Sequence, residues 1–194
     1  MAIKTFTTGE VLTASDTNTY LANAGLVYVT STTFSSVTSV SINSCFTTTY
    51  DNYRVIYSIT GTSAGGTFLL RLRKTSSDAT SSYSSVGPYY YLSAGSGYQN
   101  IVAAQNTSYW GAVCGSVGSS SIGGGMFEFF LPNVNTYTMV DYKGSTNTNN
   151  TGCESYQGTG VHFTSYQADG FTLFSSGSAF NFSGTITVYG YRKA

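Results

Sequence analysis

At 194 residues the chain is long enough for one domain with a sizeable core, and eight Lys and Arg balance eight Asp and Glu, leaving zero net charge with the lone His neutral. Charged side chains make up 8% of the sequence, against about 25% in an ordinary soluble protein, so no basic field exists to gather nucleic acid or an anionic membrane surface. Seventeen Tyr and twelve Phe argue against disorder despite the abundance of Ser, Gly and Asn, and a surface so poor in charge favours association.

The first predicted element lies in GEVLTASDTNTYLANAGLVYV, Gly9 to Val29. Thr13 stands as N-cap, Asp16 in the capping-box slot and Gly25 in the stop position, which predicts a short helix. Its apolar stripe is thin (Ala14, Leu21 and Ala24), and Thr, Asn and Asp are poor helix formers, so such an element takes its order from docking. Met1-Ala2-Ile3-Lys4 leads into polar residues, so no signal peptide is expected. Nothing approaches the roughly 18 consecutive apolar residues of a membrane span.

From about Phe34 the pattern has period two. Tyr53, Val55, Tyr57 and Ile59 alternate with Arg54, Ile56, Ser58 and Thr60, and Phe68, Leu70 and Leu72 alternate with a face that carries Arg71 and Arg73. Gly61 to Gly66 reads as a hairpin loop between these two strands. Met126 to Leu131 is an apolar run stopped by Pro132, and Tyr137 to Tyr142 follows the turn signal PNVN. Gly144 to Gly152 (GSTNTNNTG) is polar and strand-poor, which predicts a long exposed loop. At the end Phe180, Phe182, Ile186 and Val188 share one parity, with Tyr189 and Tyr191 on the other. Short β-branched and aromatic runs punctuated by Gly and Asn predict an all-β, antiparallel sandwich or barrel.

Groups that carry chemistry are scarce. His162 is the lone histidine and lies in a predicted strand, GVHFTSY, with no G-x-S-x-G elbow to suggest a nucleophile. Glu128 and Asp141 fall in neighbouring predicted strands, the one carboxylate pair that a glycosidase reading could use. Cys45, Cys114 and Cys153 are far apart and form no C-x-x-C pair, so buried free thiols are expected and a zinc site is not. No cofactor, metal site or catalytic residue is expected. Tyr89, Tyr90, Tyr91, Tyr98, Tyr109 and Trp110 concentrate rings in mid-chain, where they suit a core, a subunit interface or stacking on sugar faces.

Two terminal stretches carry a resemblance. FTTGEVLTASDTNTYLANAGLVYV, Phe6 to Val29, resembles an N-terminal element of many bacteriophage virion proteins. Gly170 to Arg192, with its closing Gly184-Thr-Ile-Thr-Val-Tyr-Gly190, resembles the last hairpin of phage tail and fibre-type domains, and Tyr50 to Ile56 and Phe68 to Arg73 fit the same group. The resemblance implies a virion structural protein of the tail-fibre or decoration type, a jelly-roll-like sandwich, a homotrimer and no catalytic residues.

Together these readings divide the chain into an attachment arm with a short helix, residues 1–30, and a β-sandwich, residues 31–194. Phe6, Val11, Leu12, Tyr20 and Leu21 are the candidate docking side chains of the arm. The expected function is a non-enzymatic tail fibre or tip subunit on the exterior of a phage particle. Its expected partners are itself, other virion proteins and a host-surface glycan, without nucleic acid or membrane insertion. The alternative is a capsid decoration protein. A polysaccharide depolymerase is the enzyme reading, disfavoured by the shortage of carboxylates and the single histidine.

Overall fold

Alternation of apolar and polar side chains gives a strand one face to bury, as in β3 (residues 52–61) and β13 (residues 182–191), and thirteen strands occur among the described residues. The computed structural model describes residues 7–11, 13–16, 25–61, 66–93, 96–117, 121–148, 152–176 and 180–193. The strands are β1 (Leu26–Val37), β2 (Ser39–Ile42), β3 (Asn52–Gly61), β4 (Gly66–Lys74), β5 (Ser77–Asp78), β6 (Tyr83–Ser93) and β7 (Ser96–Thr107). They continue with β8 (Trp110–Val117), β9 (Ile122–Phe130), β10 (Thr138–Thr148), β11 (Gly152–His162), β12 (Gly170–Ser175) and β13 (Phe182–Tyr191). One helical turn, α1 (Ala14–Asp16), precedes them.

All strand pairs are antiparallel. The larger sheet has eight strands in the order β1-β13-β3-β9-β10-β11-β6-β7, and the smaller has β2-β12-β4-β5 with β8 also paired to β4. Taken without β5–β7 and β10–β11, the order β1-β13-β3-β9 faces β2-β12-β4-β8, which is the strand order of a jelly roll. The all-β antiparallel jelly-roll-like sandwich is therefore observed. Two insertions from different parts of the chain, β10–β11 and β6–β7, meet through the β11–β6 ladder and widen the larger sheet.

The core between the sheets is aromatic. Phe46 lies 4.8 Å from Tyr53, 5.0 Å from Phe129 and 5.8 Å from Phe171, ring centre to ring centre, and all four are buried. The expected alternation in β3 holds, with Tyr53, Val55, Tyr57 and Ile59 buried. In β4 the parity also holds, with Leu69 buried in addition. Each fully buried large side chain of this kind contributes about 1.5–3 kcal/mol against exposure.

Glycine lets rings lie across the widened sheet. Tyr57 Oη sits where a β-carbon on Gly125 or Gly144 would stand, Tyr142 Oη lies 2.5 Å from that position at Gly158, and the Trp110 ring 2.5 Å from that at Gly160. This corrects the reading of residues 144–152 as a long loop. β10 runs on to Thr148 and β11 starts at Gly152, with Gly144 and Thr146 buried on the inner face. Composition suggested a loop, but a glycine under a tyrosine is a packing residue.

Three further differences follow from tertiary structure. β3 and β4 belong to different sheets, so the connection read as a hairpin crosses between layers. Consecutive strands of a jelly roll switch sheets, and turn residues look the same either way. The sandwich begins at Leu26, inside the segment read as arm, because Leu26 pairs with Tyr191. Cys45 is buried and burial pushes its thiol up, but Cys153 is exposed and free, contrary to the expectation of buried thiols. At α1 the capping box is present: Asp16 N donates to Thr13 Oγ1 at 3.1 Å and Thr13 N to Asp16 Oδ2 at 3.2 Å. Gly25 has φ +91°, and the rest of the expected helix, residues 17–24, lies outside the described residues.

The ring-over-glycine packing is open to test. Gly160→Ala places a methyl against the fully buried Trp110 and should destabilise the fold by about 1–3 kcal/mol. Gly97→Ala, whose nearest neighbour would be Tyr91 O at 3.5 Å, should be tolerated. Urea midpoints of the two variants against wild type check this, and equal midpoints would remove the argument.

Candidate functional site

The groups that chemistry could use are spread apart. Glu128 and Asp141 are indeed direct cross-strand partners, on the outer face of the larger sheet. Glu128 accepts a hydrogen bond from Arg54 Nε at 2.8 Å and another from the Tyr191 hydroxyl. Partial burial raises its pKa, but the Tyr191 and Arg54 contacts outweigh that and hold the carboxyl below the usual range. A carboxylate kept ionised in this way is poorly suited to act as a general acid. His162 is buried at the end of β11, its ring 4.6 Å from Tyr83 and 5.5 Å from Tyr166. Among the described residues no group of three or more His, Cys, Asp or Glu could hold a metal ion, and no helix is long and apolar enough to cross a membrane.

A different feature stands out at the edge of the larger sheet. No charged residue occurs from Ala79 to Phe127, the stretch that contains β6, β7 and β8. β7 is twelve residues long, pairs with β6 on one side, and has no partner strand on the other among the described residues. Its residues are exposed or half-buried on both faces. Natural sheets blunt such edges with Lys, Pro, a bulge or a covering segment; here Pro88 sits in β6, one strand in, and the bulge of β7 is confined to its C-terminal end, between Ala104 and Thr107 where Asn106 has φ +51°, which leaves Ser96–Ala104 in unbroken register with β6. Ile101 is 68% and Tyr98 55% exposed, and Val86, Tyr90 and Leu92 on β6 are also exposed.

The six mid-chain rings do not form one cluster. Tyr89, Tyr91 and Tyr98 gather with Tyr156 on one face of the hairpin, with Tyr89 and Tyr156 4.5 Å apart and Tyr91 and Tyr98 5.0 Å apart. The Tyr89 and Tyr98 hydroxyls are 3.2 Å apart, and Tyr156 Oη donates to the buried Glu154 at 2.9 Å. Burial and then the Glu154 charge raise the Tyr156 pKa; burial and the Tyr98 hydrogen bond raise that of Tyr89. Tyr90 alternates to the opposite face, where with Leu92, Gln99, Cys153 and Ser155 it lines a groove of about 440 Å³. Tyr109 is half-buried against Phe174 of the smaller sheet, 6.0 Å away. Trp110 is fully buried beside Tyr83 and Phe129, so it is a core ring and leaves the surface set.

Of the candidate arm residues, Val11 is 80% exposed, and Phe6, Leu12, Tyr20 and Leu21 lie outside the described residues. Ile101, Val86, Leu92 and Tyr156 were not singled out from the sequence. The uncharged run from Ala79 to Phe127 was the available signal for them. No protein family, curated protein or solved structure matches the chain.

His162 gives this region a pH dependence. Burial lowers its pKa more than the backbone hydrogen bonds of Thr164 and Ser81 raise it. The unfolded chain thus binds a proton first as pH falls: stability is full above about pH 6.5 and declines as pH drops toward the folded value. Urea midpoints measured from about pH 7 to pH 5.5 should fall in the wild type. His162→Gln should remove most of that slope whatever its absolute stability; a slope of equal steepness in the variant would count against the assignment.

Proposed function

We propose that this chain is a non-enzymatic structural protein of a bacteriophage virion, a self-associating tail fibre or tip subunit, most simply a homotrimer, that contributes to attachment at the host surface. The observation that carries the assembly role is the uncharged, unpaired β7 edge, flanked by exposed Tyr98, Ile101, Tyr90 and Leu92. An open edge with an apolar surround is a template for another strand, and a second copy or another virion protein would cover it. The virion assignment draws its support from the resemblance of Phe6–Val29 and Gly170–Arg192 to phage elements.

The layout of the sandwich suits this role. Leu26 pairs with Tyr191, so the described chain enters and leaves at one end. The outer ends of β3, β6, β10 and β11 lie at the other, as the pairings Phe182–Gly61, Thr60–Ile122, Thr146–Gly123 and Glu154–Tyr91 require. Residues 1–25 would anchor the protein on another virion component while the far rim, with the Tyr89, Tyr91 and Tyr98 cluster, projects toward a host-surface glycan. A second reading, a capsid decoration protein, is favoured by the near absence of charge and by the lack of any repeat or heptad shaft in a chain of 194 residues.

Two experiments test the edge and the arm, and a third decides between the readings. Ile101→Lys with Tyr98→Lys should convert an oligomer to monomer by light scattering while the far-ultraviolet spectrum stays β-type; an unchanged mass would remove the edge from the interface. Deleting residues 1–25 should abolish incorporation into particles yet leave a folded sandwich. Immunogold labelling of particles should place the protein at the tail, and label spread over the head would select the decoration reading.

A further inference from the structure

On the side of the sandwich away from the edge hairpin, the outer face of the smaller sheet holds a polar groove of about 360 Å³. Three adjacent strands supply one row of it, Ser41 on β2, Thr172 on β12 and Arg71 on β4. Arg73 is fully engaged: it bonds Asp78 and the Ser76 carbonyl, and donates at 2.9 Å to both Thr172 Oγ1 and Asn43 Oδ1. Thr172 Oγ1 in turn donates to Asp78 Oδ1 at 2.7 Å. Arg73 and Asp78 thus neutralise one another and lock β4, β5 and β12 together.

Arg71 is surplus to that lock. Its Nε donates to Ser108 O at 2.9 Å and its guanidinium lies 4.4 Å from the centre of the Phe174 ring. Its Nη1 stands 4.0 Å from Asp78 Oδ2, beyond hydrogen-bond range. Among the described residues the Nη groups make no hydrogen bond, and Arg71 remains 24% exposed at the side chain. The site therefore holds two cations to one anion, in a chain that otherwise avoids charge. A donor edge and an acceptor oxygen face one another at a separation that a single hydroxyl oxygen, about 2.9 Å from each, would bridge. Arg71 is already held by a carbonyl and a ring, so little side-chain freedom remains to be lost on binding.

We propose that this groove binds an acidic saccharide. Its carboxylate takes the free Nη edge of Arg71, its hydroxyls reach Asp78 Oδ2 and the exposed Ser41 hydroxyl, which Thr172 Oγ1 holds in place at 3.1 Å, and Phe174 backs the sugar. Surplus positive charge selects the acid, and the paired donor and acceptor select the hydroxyls beside it. The inference goes beyond the assembly role and does not rest on it, because the groove is complete in one chain and lies on the opposite sheet.

The test is an NMR titration of the full chain, read at the arginine Nε–H resonances and at the amides of Thr172 and Phe174, with glucuronic acid, glucose and inorganic phosphate as separate probes. Glucuronic acid should shift these signals in the millimolar range, at least several-fold more tightly than glucose or phosphate. Arg71→Gln should weaken it by about tenfold, the scale of one charge-assisted hydrogen bond, while its amide spectrum away from the groove stays that of the folded wild type. Arg71→Lys should retain part of the affinity, and Gln99→Ala on the other sheet all of it. Phosphate binding as tightly as glucuronic acid would reduce the groove to a simple anion site and overturn the saccharide assignment. No shift with any probe, or full affinity in Arg71→Gln, would overturn the proposal altogether.

Discussion

A tyrosine or tryptophan ring can lie flat across a β-sheet only where the strand beneath it carries no β-carbon, and the widened part of this fold depends on that constraint. Tyr57 crosses Gly125 and Gly144, Tyr142 crosses Gly158, and Trp110 crosses Gly160. Each ring bridges between strands of the larger sheet or from β8 onto it, so each also pins register along β9, β10 and β11. β6 docks on β11 and β7 on β6. The glycines that accommodate these rings lie on β11, β10 and β9, one to three strands from the exposed hairpin, so the sheet that carries the hairpin is closed on its inner face by aromatic rings.

Scarcity of charge shapes the rest of the surface. With 8% charged residues, ion pairs appear in a few places where they also tie strands: Arg54 with Glu128 and Tyr191 across β3, β9 and β13, Arg73 with Asp78 and Thr172 across β4, β5 and β12, and Lys193 with Asp51 near the chain end. The exposed Lys193–Asp51 pair contributes about 1 kcal/mol or less, while the two Arg pairs are partly buried and serve to tie neighbouring strands. Between them the surface is built of hydroxyls, amides and rings. The two outer faces differ accordingly: one ends in an uncharged edge open to another chain, the other carries a polar groove in which two guanidinium groups share one carboxylate.

The N-terminal capping box shows how far local chemistry reaches. Thr13 and Asp16 bond one another as their spacing requires, yet the helix spans only Ala14–Asp16 among the described residues. A cap satisfies a few backbone donors; it does not supply the apolar stripe that holds a helix in place.

Period-two patterning by itself determined the all-β class and the buried faces of β3, β4 and β13, because side-chain alternation is a local property. It also brought Glu128 and Asp141 to adjacent strands. Tertiary structure alone decided what depends on contacts distant in sequence. Trp110 went to the core and its neighbour Tyr109 to the smaller sheet, and Gly144 to Thr148 became strand beneath Tyr57 and beside Glu154. Which strands pair, and hence that β7 is an edge and Arg71 overlooks a groove, follows from two insertions meeting across the sheet, and no local pattern encodes that meeting.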